Sequence, residues 1–223
     1  TGGNRFDHAN LQQIPEHLHK VIEAPEGYEI VYSDYSGLEL RMAVAYVGEP
    51  TMSELMIKGE DMHTETAKYI FGVEIPTVEE RTTAKVFNFS LVYGSGIKTV
   101  KETLKTRNNI DMSFEETKDK INSWFDLYHY FREWHNMHKR QMNIYGYVDI
   151  TTALERKVRA YKLTDSLNFP IQGSSVEVTK VSLGLLHSRY PDAYLIDTIH
   201  DSNILLAKTE EAEMWGDRLT ECM

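Results

Sequence analysis

The chain has 223 residues and a mass of 25.8 kDa, room for one large domain or two small ones. With 24 basic against 34 acidic residues its formal charge is −10, which taken alone speaks against a general nucleic-acid binder. The lone cysteine, Cys222, excludes an intrachain disulfide and a cysteine-built zinc site, and no apolar run reaches the roughly 18 residues that spanning a bilayer needs.

In chain order, Gly27–Ser33 reads as a strand that ends at Asp34. Leu38, Met42 and Ala45 recur at helical spacing between Gly37 and Val47, and Gly48-Glu49-Pro50 stops that helix. Asp61 to Phe71 is a further helix, closed by Gly72. Thr77 and Glu80 form a capping box for a long helix reaching about Tyr93, where Gly94-Ser95-Gly96 ends it. Ser113 and Glu116 open an aromatic-rich helix running through Trp124, Phe125, Tyr128, Phe131 and Trp134, a run that reads as core. Gly146–Thr151 is a strand and Gln172–His187 a helix. Tyr194–Ile199 and Asn203–Ala207 form a hairpin with His200-Asp201-Ser202 at its tip. Strands at both ends with helices between give an α+β layout, a sheet interrupted by a helical insertion. The chain starts at Thr1 and stops after an acidic helical stretch, so it reads as an internal piece of something longer.

Two constellations could carry chemistry. Arg81, Lys85, Phe89 and Tyr93 are spaced by four and share one helix face. Such a stripe could grip a polyphosphate with its cations and stack a flat ring on its aromatics, or be a solvated basic end grading into a buried aromatic one. Asp34 and Asp201 each stand at a strand end. Carboxylates on adjacent strands can hold two magnesium ions, although turn aspartates are common in their own right. Asp197 lies four residues along the strand from Asp201, about 13 Å, too far to share an ion with it. The histidine pairs His17/His19 and His135/His138 have no cysteine partners and read as surface or core residues.

These residues carry a resemblance. The segment 34–41, Asp-Tyr-Ser-Gly-Leu-Glu-Leu-Arg, resembles motif A of the family A DNA polymerases. Residues 81–94 resemble motif B, and His200-Asp201-Ser202 stands where motif C belongs. Asn10–Pro15, Asp61-Met62-His63 with Thr66-Ala67, Phe71-Gly72, Gly146-Tyr147-Val148 and Asn168–Gly173 match further, in the family's order. The resemblance implies a right-hand polymerase core without its thumb: an antiparallel palm sheet built from 1–47 and 156–223, with residues 48–155 inserted as helical fingers. It implies template-directed DNA synthesis in replication or repair from primer-template DNA and dNTPs, in a cytoplasm, with a weak lean towards a phage source. Asp34, Asp201 and the Tyr35 carbonyl would bind two Mg2+ ions, with Mn2+ able to substitute. Lys85 would be catalytic, and Arg81, Lys85 and His63 would contact the triphosphate. Phe89 would pack on sugar and base, and Tyr93 would lie near the templating base. Glu39 would lie beneath the sugar and, with Tyr93, exclude a 2′-hydroxyl. Asn168 and Gln172 would touch the DNA minor groove, and His200 the primer end.

The chain departs from the family pattern at four positions. Gly3 and Thr164 stand where arginine is usual, Gly37 where glutamine is, and Ser202 where a third acid is. Ser202 keeps a hydroxyl able to bind a metal-bound water. These departures keep open a catalytically weakened polymerase-like DNA-binding domain. A single-subunit RNA polymerase shares the palm, but the carboxylate of Glu39 would crowd a ribose. Basic runs at Lys98, Lys101, Lys105 and Arg107 and at Arg156, Lys157, Arg159 and Lys162 offset the acidic total locally.

Overall fold

The computed structural model describes residues 23–223; Gly3, the Asn10–Pro15 match and His17/His19 lie outside them. The expected first strand is β1 (Tyr28–Asp34). Gly37 follows at φ +63, a left-handed conformation that side chains resist, and turns the chain into α1 (Leu38–Val47). The next element, α2 (Pro50–Lys58), has no periodic signature because Met52 is its only buried residue. It forms on a cap instead. The wholly buried Glu49 carboxylate accepts from the Thr51 amide and, far along the chain, from the Tyr130 amide, each at 3.2 Å.

Asp61 caps α3 (Met62–Phe71), and the Thr77–Glu80 capping box of α4 (Val78–Val92) has both of its arms. Sequence reading had no helix for α5 (Ile97–Asn108), which buries only Val100 and Leu104. The aromatic-rich segment is two helices rather than one, α6 (Phe114–Leu127) and α7 (His129–Tyr145). They part at Tyr128, whose ψ of 63° is not helical. Its hydroxyl bonds the Thr66 hydroxyl at 2.7 Å, and Glu49 satisfies the freed Tyr130 amide. The break lets Trp124, Tyr128, Phe131 and Trp134 enter one core from two directions.

A hairpin of β2 (Val148–Thr151) and β3 (Lys157–Ala160) follows. The next helix, α8 (Leu163–Arg189), starts at Leu163, not Gln172. Pro170 lies within it, yet Leu167 and Ile171 on either side are packed in the core, and that burial outweighs the lost backbone bond. The chain ends with β4 (Leu195–Ile199), β5 (Ser202–Lys208), a 3₁₀ turn at Thr209–Glu211 and α9 (Ala212–Cys222). β5 lies between β1 and β4, antiparallel to both. Among the described residues no helix is long and apolar enough to cross a membrane.

The chain packs as two units, one formed by Gly37–Ser175 and the other by the segments ending at Ser36 and beginning at Val176. In the first, Phe87, Leu91, Trp124, Tyr128, Phe131, Leu167 and Ile171 centre a helical core. In the second, Leu205, Ala207, Trp215, Leu219 and Cys222 join α9 to the sheet.

The end of α4 is among the tightest points of the first unit. Gly94 has φ +73, and a Cβ there would stand 2.5 Å from Leu167 Cδ1. Gly94→Ala therefore combines a left-handed alanine with an overpacked core. A loss of about 2–4 kcal/mol is expected in urea melts, and a change below about 0.5 kcal/mol would show that α8 yields freely.

Candidate active site

In the sheet unit, register fixes the two aspartates. Asp34 is the last residue of β1 and lies opposite Ser202, the first of β5, next to Asp201 in the turn. The hairpin tip is thus His200-Asp201, with Ser202 already in the strand, and His200 reverses the chain at φ +55. The Tyr35 amide donates to the Asp201 carbonyl at 3.4 Å, tying the end of β1 to the turn. Partial burial, then the Asp201 charge and a bond between the two carboxyls, raise the pKa of Asp34 above the usual carboxylate range. The Tyr35 backbone amide opposes this in part. The buried Ser202 hydroxyl gives its proton to the Ile199 carbonyl at 2.7 Å, so towards any water it can only accept. Among the described residues no group of three or more His, Cys, Asp or Glu is arranged to hold a metal. Two facing carboxylates fit Mg2+, which usually keeps several waters and takes its remaining oxygens from phosphates.

In the helical unit, α4 turns Thr83, Ala84, Phe87, Asn88, Leu91 and Val92 into the core. The opposite face leaves Arg81, Lys85 and Phe89 exposed and Tyr93 half-buried. Phe89 is 37% exposed, so the stripe turns inward only at Tyr93. α3 meets it from the side. The His63 ring lies 5.7 Å from that of Phe89, and Arg81 Nε donates to Asp61 Oδ2 at 2.6 Å. Partial burial would raise the Asp61 pKa, but bonds from Arg81, the Thr64 hydroxyl and the His63 amide hold it at about 2. Burial lowers the pKa of His63, Asp61 opposes this, and the charges of Arg81 and Lys85 lower it further. Arg81, Lys85, His63 and Phe89 thus form one cationic and aromatic cluster.

At the end of α4 the Tyr93 hydroxyl donates to Glu39 Oε2 on α1. Burial, and then this carboxylate, push the Tyr93 pKa strongly upward, so the phenol remains a donor. Asn168 and Gln172 share a face of α8 one turn apart, Asn168 half-buried and Gln172 exposed. Gly173 beside them lets Arg156 lie against the helix; a Cβ there would stand 2.7 Å from the guanidinium.

The family model of DNA polymerase family A matches residues 1–223, the whole chain. The chain belongs to DNA polymerase family A. It is 35% identical over 229 residues to DNA polymerase I of Aquifex aeolicus, covering all of this chain and 40% of that protein. The thermostable DNA polymerase I of Thermus aquaticus is 28% identical over 233 residues, covering 96% of this chain and 27% of that one. The chain therefore spans less than half the length of these relatives. Among solved structures, the POL domain of Pol1 from M. smegmatis, in complex with DNA primer-template and dNTP, matches with a TM-score of 0.81 at 24% identity. The match covers 96% of this chain and 41% of that one, and it shows a shared α+β polymerase fold.

Within this family frame the structure adds residues that sequence reading gave no role of their own. Asp61 was visible only as part of a motif; its ion pair with Arg81 spans twenty residues, beyond any helical spacing. Asn88 is wholly buried, and Trp124, which read simply as core, donates its indole N–H to it at 2.7 Å. A polar residue on the buried face of α4 was the one available signal.

Proposed function

We propose that this chain is the metal- and nucleotide-binding part of a template-directed DNA polymerase, with residues 1–47 and 156–223 as palm and 48–155 as fingers. The reaction is attack of a primer 3′-hydroxyl on the α-phosphate of a dNTP, with release of pyrophosphate. The observation that carries the reading is the Asp34–Asp201 pair, two carboxylates brought together where β1 ends and the β4–β5 turn leads into β5, each acting on the other. When bound there, two Mg2+ ions would supply electrostatic stabilisation to the attacking and leaving oxygens. Asp34 and Asp201 would hold these ions, together with the Tyr35 carbonyl.

Arg81 and Lys85 hold the triphosphate, and Lys85 offsets the negative charge that builds on the leaving pyrophosphate. His63 hydrogen-bonds the phosphates, and Phe89 packs on sugar and base. Glu39, fixed by the Tyr93 phenol, fills the space a 2′-hydroxyl would need, which favours dNTPs over rNTPs. Tyr93 also lies near the templating base. Asn168 and Gln172 contact DNA in the minor groove, and His200 the primer end. Primer extension with Mg2+ by this chain and by the longer polymerase containing it, with dNTPs against rNTPs, tests the proposal. Absence of extension by both would overturn it.

A second reading has its own observation. Ser202 replaces an acid, and its proton is committed to Ile199. A catalytically weakened domain would bind primer-template without extending it, and filter binding beside the extension assay separates the two.

Phe89 permits a sharper check. Phe89 lies on the exposed face of α4, so Phe89→Tyr is expected to leave the melting temperature close to that of wild type. A ring without a hydroxyl cannot replace the bond lost with a nucleotide's 3′-hydroxyl. Wild type is therefore expected to discriminate against dideoxynucleotides and Phe89→Tyr to relax that discrimination. Single-nucleotide incorporation reads this, and an unchanged ddNTP/dNTP ratio would remove Phe89 from the nucleotide site.

A further inference from the structure

Behind the exposed stripe of α4 lies a closed set of hydrogen bonds whose donors leave little freedom. Asn88, Thr66, Trp124 and Tyr128 are all wholly buried. The Trp124 indole N–H can only donate, and it lies 2.7 Å from Asn88 Oδ1, so the amide oxygen faces the indole. The Thr66 hydroxyl has one proton, and its shortest acceptor is the Met62 carbonyl at 2.6 Å. Thr66 then accepts from the Tyr128 hydroxyl at 2.7 Å and from Asn88 Nδ2 at 3.1 Å, closer than its 3.3 Å approach to Asn88 Oδ1. The second proton of Nδ2 is left for His63 Nδ1, 3.0 Å away. Turning the amide over would set an NH2 group against the indole N–H and an oxygen against the imidazole.

We infer that Asn88, oriented by Trp124, is a positioning residue that fixes His63 as the neutral tautomer with its proton on Nε2. A proton on Nδ1 would point at the Asn88 amide protons, and the surroundings already disfavour imidazolium. Burial, Arg81 and Lys85 oppose the charge, and Asp61 alone favours it. Resting on the nucleotide-binding role proposed above, the consequence concerns how His63 meets phosphate. Arg81 and Lys85 supply the charge. His63 adds a directed Nε2–H donor whose strength does not vary across neutral pH. The Phe89 ring packed on His63 leaves the imidazole little freedom to turn. The signal runs from a buried tryptophan on α6, through α4, to a histidine on α3, and none of the intermediate groups touches solvent.

The test is histidine-selective 15N labelling of the chain, with His63 assigned through His63→Gln and long-range 1H–15N correlation spectra recorded from pH 8 to 5. Wild type is expected to show His63 with a bare Nδ1 and a protonated Nε2 at pH 7. It should titrate below the unperturbed value of about 6.5. A proton on Nδ1, or on both nitrogens, at pH 7 overturns the inference from the wild-type spectrum alone, whether or not any variant folds. Asn88→Asp presents only acceptors, so the proton is expected to move to Nδ1 and the titration to shift upward. An unchanged spectrum in a folded Asn88→Asp protein also overturns the role of Asn88. Trp124→Phe releases the amide, and a mixture of tautomers is expected. Adding dATP with Mg2+ is a separate reading. A shift at Nε2 supports the nucleotide contact, whereas the expected tautomer with no shift removes His63 from the proposed nucleotide site and leaves the Asn88 relay standing.

Discussion

Replacing Asp201 with Ala in the longer polymerase is expected to lower nucleotide incorporation by about 10³-fold or more, equivalent to about 4 kcal/mol of transition-state stabilisation, while primer-template binding stays within a few-fold. Asp34→Ala should do the same. The asymmetry between chemistry and binding is the diagnostic part. Neither carboxylate is needed to hold the sheet, because backbone register from Tyr28↔Lys208 to Asp34↔Ser202 fixes β1 on β5. Without metal the pair should repel. The folded pKa of Asp34 is raised, so its contribution to stability is greatest when it is protonated and is lost as pH rises through that pKa. Asp34→Asn should therefore leave the metal-free protein as stable as wild type or slightly more stable at pH values above that raised pKa. Retained extension in either alanine variant, or a marked loss of stability in Asp34→Asn, would sink the assignment.

The second large effect is on acid stability. His135 and His138 are 4% exposed and sit in the helical core, where burial lowers both pKa values to about 4. The Val92 carbonyl accepts from His135 Nε2 at 3.2 Å and opposes the shift in part, while Lys139 and His138 add to it. In the unfolded chain both titrate near 6.5, so the unfolded state takes up protons first as pH falls. Stability should be full above about pH 6.5 and decline towards pH 4, by roughly 3 kcal/mol per histidine. Burial also lowers the His63 pKa and adds in the same direction. Glu49 and Asp34, raised by burial, act in the opposite sense at the acid end. Urea melts at pH 7.5, 6, 5 and 4 read the sum. His138→Gln can still bond Ser166, which lies 3.0 Å from His138 Nδ1, and cannot titrate, so its pH slope should fall by about half. Equal melting midpoints for wild type at pH 7.5 and 5 would show that these imidazoles can charge in place.

Much of the candidate site lay open in the sequence because it sits on elements with local signatures. The strand ending at Asp34 has a turn before it and Gly37 after it, and the capping box of α4 fixes where that helix begins. Its four-residue spacing then determines that Arg81, Lys85, Phe89 and Tyr93 share a face. Composition excluded an intrachain disulfide and a cysteine-built zinc site. Other features were decided only when the chain folded. α2 buries a single residue and is set by Glu49, whose second partner, Tyr130, lies far along the chain. The division of the aromatic helix at Tyr128 depends on Thr66 and Glu49, and the survival of α8 through Pro170 depends on a core that no local rule can weigh against a missing N–H. The same holds within the site. Spacing could place Arg81 but not Asp61 beside it, and the family resemblance could name His63 but not its tautomer. Pairings between distant residues are fixed by tertiary packing, whereas periodicity and caps report only on neighbours within a turn or two.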